Sequence, residues 1–167
     1  MFIALILSLV AIALILLVVL AIIDARTMLL PDHYVFLFGL SAVALHIMTD
    51  FGFMAPADVA LGALIGGGGM YLVRLIGNYF YKQESMGLGD VKLLLAGGLW
   101  VGGLGIIWAI TLGAFCTLVF AIIYAAVKAV KTGKFNFARL VLPAGPGFCA
   151  GLAMMIFIIY LLPPLIL

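Results

Sequence analysis

The sequence predicts an all-α polytopic membrane protein of about six transmembrane helices, with both the N-terminus and the C-terminus outside. Three observations lead there. The chain is 68% hydrophobic and only 8% charged, with a mean hydropathy of +1.45, whereas soluble domains carry roughly 25% charged residues. Its apolar residues fall into long runs separated by short polar or glycine- and proline-bearing breaks. Every basic residue lies in one of three places along the chain. At about 20 apolar residues per bilayer crossing, the 167 residues leave room for five or six helices and no separate soluble domain, so residues 1–167 are expected to form a single membrane domain.

Phe2–Ile23 is the first predicted span. At 1.5 Å per residue its 22 residues reach about 33 Å, enough for a hydrocarbon core of about 30 Å. It lacks the basic n-region of a cleaved signal peptide and is too long for an h-region. The further apolar segments are Tyr34–Met48, Ala57–Tyr79, Val91–Val101, Leu104–Val130 and Gly147–Leu167. The second and fourth are short for a crossing and must extend into their flanks, tilt or enter part-way. Breaks are expected at Leu30-Pro31-Asp32, Thr49 to Gly52, Lys82 to Gly89, Gly102-Gly103 and Lys131 to Pro146.

The positive-inside rule gives the orientation. Arg26 follows the first span; Arg74, Lys82 and Lys92 surround the loop after the third; Lys128, Lys131, Lys134 and Arg139 surround the loop before the last. Six alternating spans put all eight of these charges on the cytoplasmic side. Merging the fourth and fifth spans would put one basic cluster on the wrong side. In the third span, Gly62, Gly66, Gly67, Gly68 and Gly69 are read first as a surface for close helix packing, with Gly62 and Gly66 as a GxxxG pair. The alternative is a flexible stretch that lets this helix shift when a substrate helix enters.

A net charge of +2 without a basic run excludes nucleic acid as a natural partner. Cys116 and Cys149 belong to no CxxC or Cys/His cluster and read as core residues with free thiols. His33 and His46 are the only histidines and fall near opposite ends of one helix. No metal site, no cofactor and no Ser/His triad is expected. The informative residues are the acids near membrane depth, because a charge at a helix centre costs at least about 2.5 kcal/mol on insertion scales.

Asp24 comes directly after the first apolar run. It is either a headgroup-level carboxylate neutralised by Arg26 or one half of a site. Asp90 follows Gly87-Leu88-Gly89 at the mouth of an apolar helix; it is either an N-cap or an acid that the two glycines leave open to another chain. The charge-derived topology places both on one side. Two carboxylates brought together cannot both ionise cheaply, so such a pair holds a general base and a general acid and can activate water without a metal.

With Leu30-Pro31-Asp32 downstream of Asp24, the run Glu84-Ser85-Met86-Gly87-Leu88-Gly89-Asp90-Val91-Lys92-Leu93, and Leu142-Pro143-Ala144-Gly145-Pro146 entering the last helix, the chain resembles the type IV prepilin peptidases, a group of GxGD-type membrane aspartyl proteases. The resemblance implies that Asp24 and Asp90 are the catalytic aspartates. It implies removal of a short basic leader from a pilin-like precursor at the cytoplasmic face of the inner membrane. The long members carry two CxxC pairs and N-methylate the product; lacking those cysteines, this sequence looks like the short forms of Flp-type pili or like the archaeal preflagellin peptidases, and no methyltransferase activity, S-adenosylmethionine or zinc is carried over.

Glu84, Lys92, Arg26 and Asp32 are read as solvated or snorkelling charges, or alternatively as groups that attract the leader (Glu84, Asp32) or tune the pair (Lys92, Arg26). Gly87 and Gly89 are read as opening the approach to Asp90; Pro143 and Pro146 are expected to set the entry of the last helix, and the resemblance implies that this segment lines the site. A small ion-coupled transporter would need acids near mid-helix, which the first, third, fifth and sixth spans lack. A structural subunit of a pilus or secretion assembly would leave Gly-Leu-Gly-Asp unexplained. The sequence does not set the oligomeric state.

Overall fold

The computed structural model describes residues 2–82, 86–132 and 143–162, all in helices and the turns between them. In order they are α1 (Phe2–Thr27), α2 (Asp32–Met48), α3 (Pro56–Ala63), a π-helical segment (Leu64–Gly69), α4 (Met70–Tyr81), α5 (Leu88–Thr132) and α6 (Gly145–Leu161). Three stretches are long and apolar enough to cross a membrane: Ile3–Thr27, Pro56–Tyr81 and Leu88–Ile123. α2 and α6 are shorter apolar helices of 17 residues each.

α1 runs one turn past the apolar sequence. Ala25-Arg26-Thr27 is no obstacle to a helix, and the chain leaves it at Met28, in the left-handed region at φ 54. Its buried stripe is Val10, Ala13, Leu17 and Leu20, a three-four spacing that repeats to Asp24. Periodicity within an all-apolar helix could not show which face this was.

α5 is two helices in series. At Gly102 the backbone turns to φ 70, ψ −176, a conformation open to glycine, and the chain reverses. Residues 94 and 106 of a straight helix would lie about 18 Å apart, yet the Leu94 backbone and the Ile106 side chain both sit against Gly66. Likewise Leu152 of α6 meets Gly97, while its neighbour Gly151 meets Ala109 and Gly113. The expected break at Gly102-Gly103 is thus present, between limbs 88–101 and 103–132. Reversal breaks the helical ladder, and side chains restore it. Leu99 O, which Gly103 N–H would reach in a continuous helix, accepts from His46 Nε2 at 2.9 Å. Trp100 O accepts from Tyr160 Oη at 2.8 Å, and the released Gly103 N–H donates to Asp58 Oδ1 at 3.1 Å.

Trp100, Phe38, Leu45, Leu93, Leu94, Ile106, Leu152 and Ile156 fill the centre where α2, α5 and α6 meet. The packing reading of the glycines holds for Gly62, Gly66 and Gly67, which lie against α5. It does not extend to Gly69, around which there is open space, or to Gly68, whose only neighbour is Leu64. α4 leaves a broad apolar surface exposed, including Tyr71, Leu72, Val73, Ile76, Tyr79 and Phe80. Its Arg74, counted above with the loop charges, turns inward and is 8% exposed.

Candidate active site

The end of α1, the start of α5 and the start of α6 converge at one end of the bundle, opposite the Gly102 turn. Asp24 lies inside α1 on its buried stripe and is 5% exposed. Its Oδ2 accepts the backbone N–H of Gly145 at 3.1 Å, a contact spanning 121 positions of the chain. Of the two readings of Asp24, a headgroup-level carboxylate satisfied by Arg26 does not describe it. Arg26 is exposed on the next part of the turn, and the carboxylate is held from α6.

Asp90 is the third residue of α5 rather than its cap. It is partly buried. Among the described residues, its Oδ1 is buried and has no hydrogen-bond partner. An N-cap carboxylate would have accepted an N–H from the first turn. The two glycines before Asp90 have separate jobs. The Leu30 side chain packs onto Gly89, its Cβ 2.8 Å from where a side chain would begin. Gly87 leaves the Asp90 carboxylate uncovered, Oδ2 being 3.3 Å from the place its own Cβ would take.

The carboxylates of Asp24 and Asp90 lie within electrostatic reach of each other and of the Cys149 side chain. The fold thus joins residues 66 positions apart into one acidic pair, with Cys149, one turn into α6, buried beside it. Cys116, also read as a core residue, is instead exposed on α5.

Around this pair the secondary residues sort by geometry. Lys92 Nζ bonds both oxygens of Asp32 at 2.8 Å, so this cation engages the start of α2 rather than Asp90, and Asp32 is already matched by a positive charge. The ion pair stands at the rim of an apolar groove of about 440 Å³ between α2 and α5, which Val35, Gly39, Ala96 and Leu99 also line. Pro146 lines a second groove, about 330 Å³, between α1 and α6, with Ala21, Ala25, Cys149, Ala150 and Ala153; this groove flanks Asp24. Glu84 lies outside the described residues, as do Lys134 and Arg139. No three His, Cys, Asp or Glu side chains converge as metal ligands would among the described residues.

In the sequence Gly145 stood out only within the 142–146 run and Cys149 only as a core thiol, and neither was given a place beside the acids. A glycine followed by proline at the opening of an apolar helix does signal close backbone approach, but nothing local names Asp24 as what approaches. Chemically, two carboxylates within electrostatic reach in a largely apolar setting, one oxygen fixed by an N–H and another unbonded, are suited to holding a water molecule and passing its protons between two acids.

Comparison with known proteins places the chain in a family. The family model for the type IV leader peptidase family matches residues 11–130, a stretch that includes both aspartates. A prepilin leader peptidase/N-methyltransferase of Pectobacterium carotovorum subsp. carotovorum is 31% identical over 120 residues, 71% of this chain and 42% of that protein. A Klebsiella pneumoniae protein of the same description is 36% identical over 94 residues, 52% of this chain and 37% of its own length. A type 4 prepilin-like proteins leader peptide-processing enzyme of Escherichia coli O78:H11 is 35% identical over 66 residues, 40% of this chain and 24% of that enzyme. The chain therefore spans less than half the length of the curated relatives it matches. No solved structure matches it. The family match over most of the chain, with a relative 31% identical over 71% of it, makes this protein a member of the type IV leader peptidase family.

Proposed function

We propose that this chain is a membrane-embedded aspartyl endopeptidase that removes the leader peptide from type IV pilin-like precursors, Flp-type in particular, at the cytoplasmic face of the inner membrane. Asp24 and Asp90 are its catalytic residues. The observation that carries the reading is the meeting of these two acids at one end of the bundle. Family membership supports the chemistry, since the matched relatives are described as leader peptidases.

In this mechanism a water molecule lies between the two carboxyl groups. One carboxylate takes a proton from the water as its oxygen adds to the scissile carbonyl carbon, and the protonated partner gives its proton to the carbonyl oxygen. The tetrahedral intermediate then collapses, the C–N bond breaks and the leaving nitrogen takes a proton from the pair. The pair performs both transfers, so no metal and no cofactor enter the scheme.

The six-span arrangement, with both termini outside, rests on the basic residues together with the reversal at Gly102, which turns the Leu88–Ile123 stretch back on itself. It places both aspartates at the cytoplasmic rim, where a basic leader would arrive. Asp32 is neutralised by Lys92, which leaves Glu84 as the acid for that leader. Gly87 leaves Asp90 open to an incoming backbone, and Pro146 borders the site from α6.

Co-expression with a pilin-like precursor tests the function. Mass spectrometry of the pilin should show a shortened N-terminus that carries no methyl group when the purified protein alone made the cut. An uncut precursor, with the protein inserted in the membrane, would refute the activity.

A further inference from the structure

We infer that the backbone N–H of Gly145 is a positioning group for the proposed catalytic pair, fixing Asp24 by one oxygen so that the other is left for chemistry; this rests on the reading of Asp24 as catalytic.

The opening of α6 is built to offer Asp24 a single donor. Helix N-termini expose unpaired N–H groups and the positive end of the helix dipole. Here Ala144 is the cap and Gly145 the first helical residue. Pro146 has no N–H, while the N–H groups of Gly147 and Phe148 both bond Ala144 O, at 3.1 and 3.2 Å. Among the first helical residues that leaves Gly145 N–H, and it goes to Asp24 Oδ2.

Space matches the hydrogen bond. A Cβ on Gly145 would run into the Asp24 carboxylate, 2.7 Å from its Cγ and 3.1 Å from its Cβ. Glycine is therefore required by closeness, since this residue's backbone has no unusual conformation to explain it. Asp24 has few alternatives, because it is buried on the inner stripe of α1. Asp90, by contrast, has an oxygen without a protein partner among the described residues. One member of the pair is anchored and the other is left to the water and the substrate, which reduces the orientational freedom to be lost when the reacting groups align.

Two variants of the whole protein in lipid nanodiscs test this, with purified pilin-like precursor as substrate. The first replaces the Gly145 residue by glycolic acid through nonsense suppression, exchanging the N–H for an ester oxygen at nearly unchanged shape. The second, Gly145→Ala, keeps the N–H and adds the clashing methyl. Losing a hydrogen bond to a charged group is expected to lower kcat of the ester variant roughly ten- to hundredfold. KM should stay within about twofold, because the bond orients a reacting group rather than binding substrate. Gly145→Ala should lose at least as much.

An ester variant with wild-type kcat would overturn the inference. So would a lower yield of folded protein with normal turnover per folded molecule, since the bond would then serve the fold alone. Wild-type protein and Asp24→Asn are measured beside them. If wild-type protein fails to cleave, or Asp24→Asn keeps its turnover, the proposed function itself has failed. If wild-type cleaves and Asp24→Asn does not, an unaffected ester variant removes only the role of Gly145.

Discussion

The two ends of this bundle treat their polar groups in opposite ways. At the Gly102 turn, three backbone groups released by the reversal are each taken up by a side chain from elsewhere: His46, Tyr160 and Asp58. His46 Nδ1, beside the stacked ring of Phe51, is the exception. At the other end, the start of α5 carries a buried carboxylate oxygen without a partner among the described residues, within electrostatic reach of a second acid that accepts the N–H of Gly145. An unpaired buried polar group costs about 1–3 kcal/mol. The contrast teaches that the first end is closed by the fold itself, whereas the second leaves an acidic group unmatched, as the proposed reaction would require.

That contrast breaks if the Gly102 end proves functional or the acidic end proves merely structural. The larger effect is expected at the turn. His46→Ala and Tyr160→Phe each leave a buried carbonyl unpaired, so each should lower stability by about 1–3 kcal/mol. Turnover per folded molecule should stay near wild type, because neither residue is at the acidic end. Thermal unfolding in detergent, set against cleavage by the folded fraction, separates the two quantities. A tenfold loss of turnover at unchanged stability in either variant would mean that the turn takes part in function.

A smaller effect is expected at the rim of the acidic end. The Lys92–Asp32 pair is well aligned, but its side chains are 47% and 70% exposed, and such pairs contribute about 0–1 kcal/mol. Lys92→Ala should cost less than about 1 kcal/mol in the same unfolding measurement. The doubly reversed variant, Asp32→Lys with Lys92→Asp, should recover most of that loss. A loss above about 2 kcal/mol would show that the rim pair, rather than the apolar core and the Gly145 contact, holds the acidic end together.

Much of this was legible in the residues. The apolar runs gave the first five helical stretches to within a few positions, while the end expected for the last one falls on residues 163–167, outside the described residues; Gly102-Gly103 stood out as a break because the basic residues required a reversal there. Asp24 and Asp90 were visible because an acid beside an apolar run in so hydrophobic a chain is costly and needs a reason. Four things were hidden, each for a physical cause. α1 is apolar all round, so nothing in its pattern told which stripe faced the core or that Asp24 continued it. The Gly145 contact joins positions 121 apart, and only the folded chain specifies it. Nothing in the sequence singled out Asp58 or Tyr160, since their value lies in backbone groups that a distant turn sets free. The π-helical segment through Leu64–Gly69 was likewise unforeseen: a glycine run signals close approach and flexibility, but not which hydrogen-bond register the backbone takes.

The central claim is that Asp24 and Asp90 act as one chemical unit. Asn keeps nearly the volume of Asp but neither accepts a proton as a carboxylate nor donates one as an acid, and it caps a helix as well as Asp does. The decisive measurement is precursor cleavage by purified Asp24→Asn, Asp90→Asn and the double variant in nanodiscs. Each single variant should insert normally and lose at least about a thousandfold in rate, and the double variant should be no slower than the singles, because residues that work together fail together. Losses that multiply in the double variant, or more than about a tenth of the wild-type rate in either single one, would contradict the account.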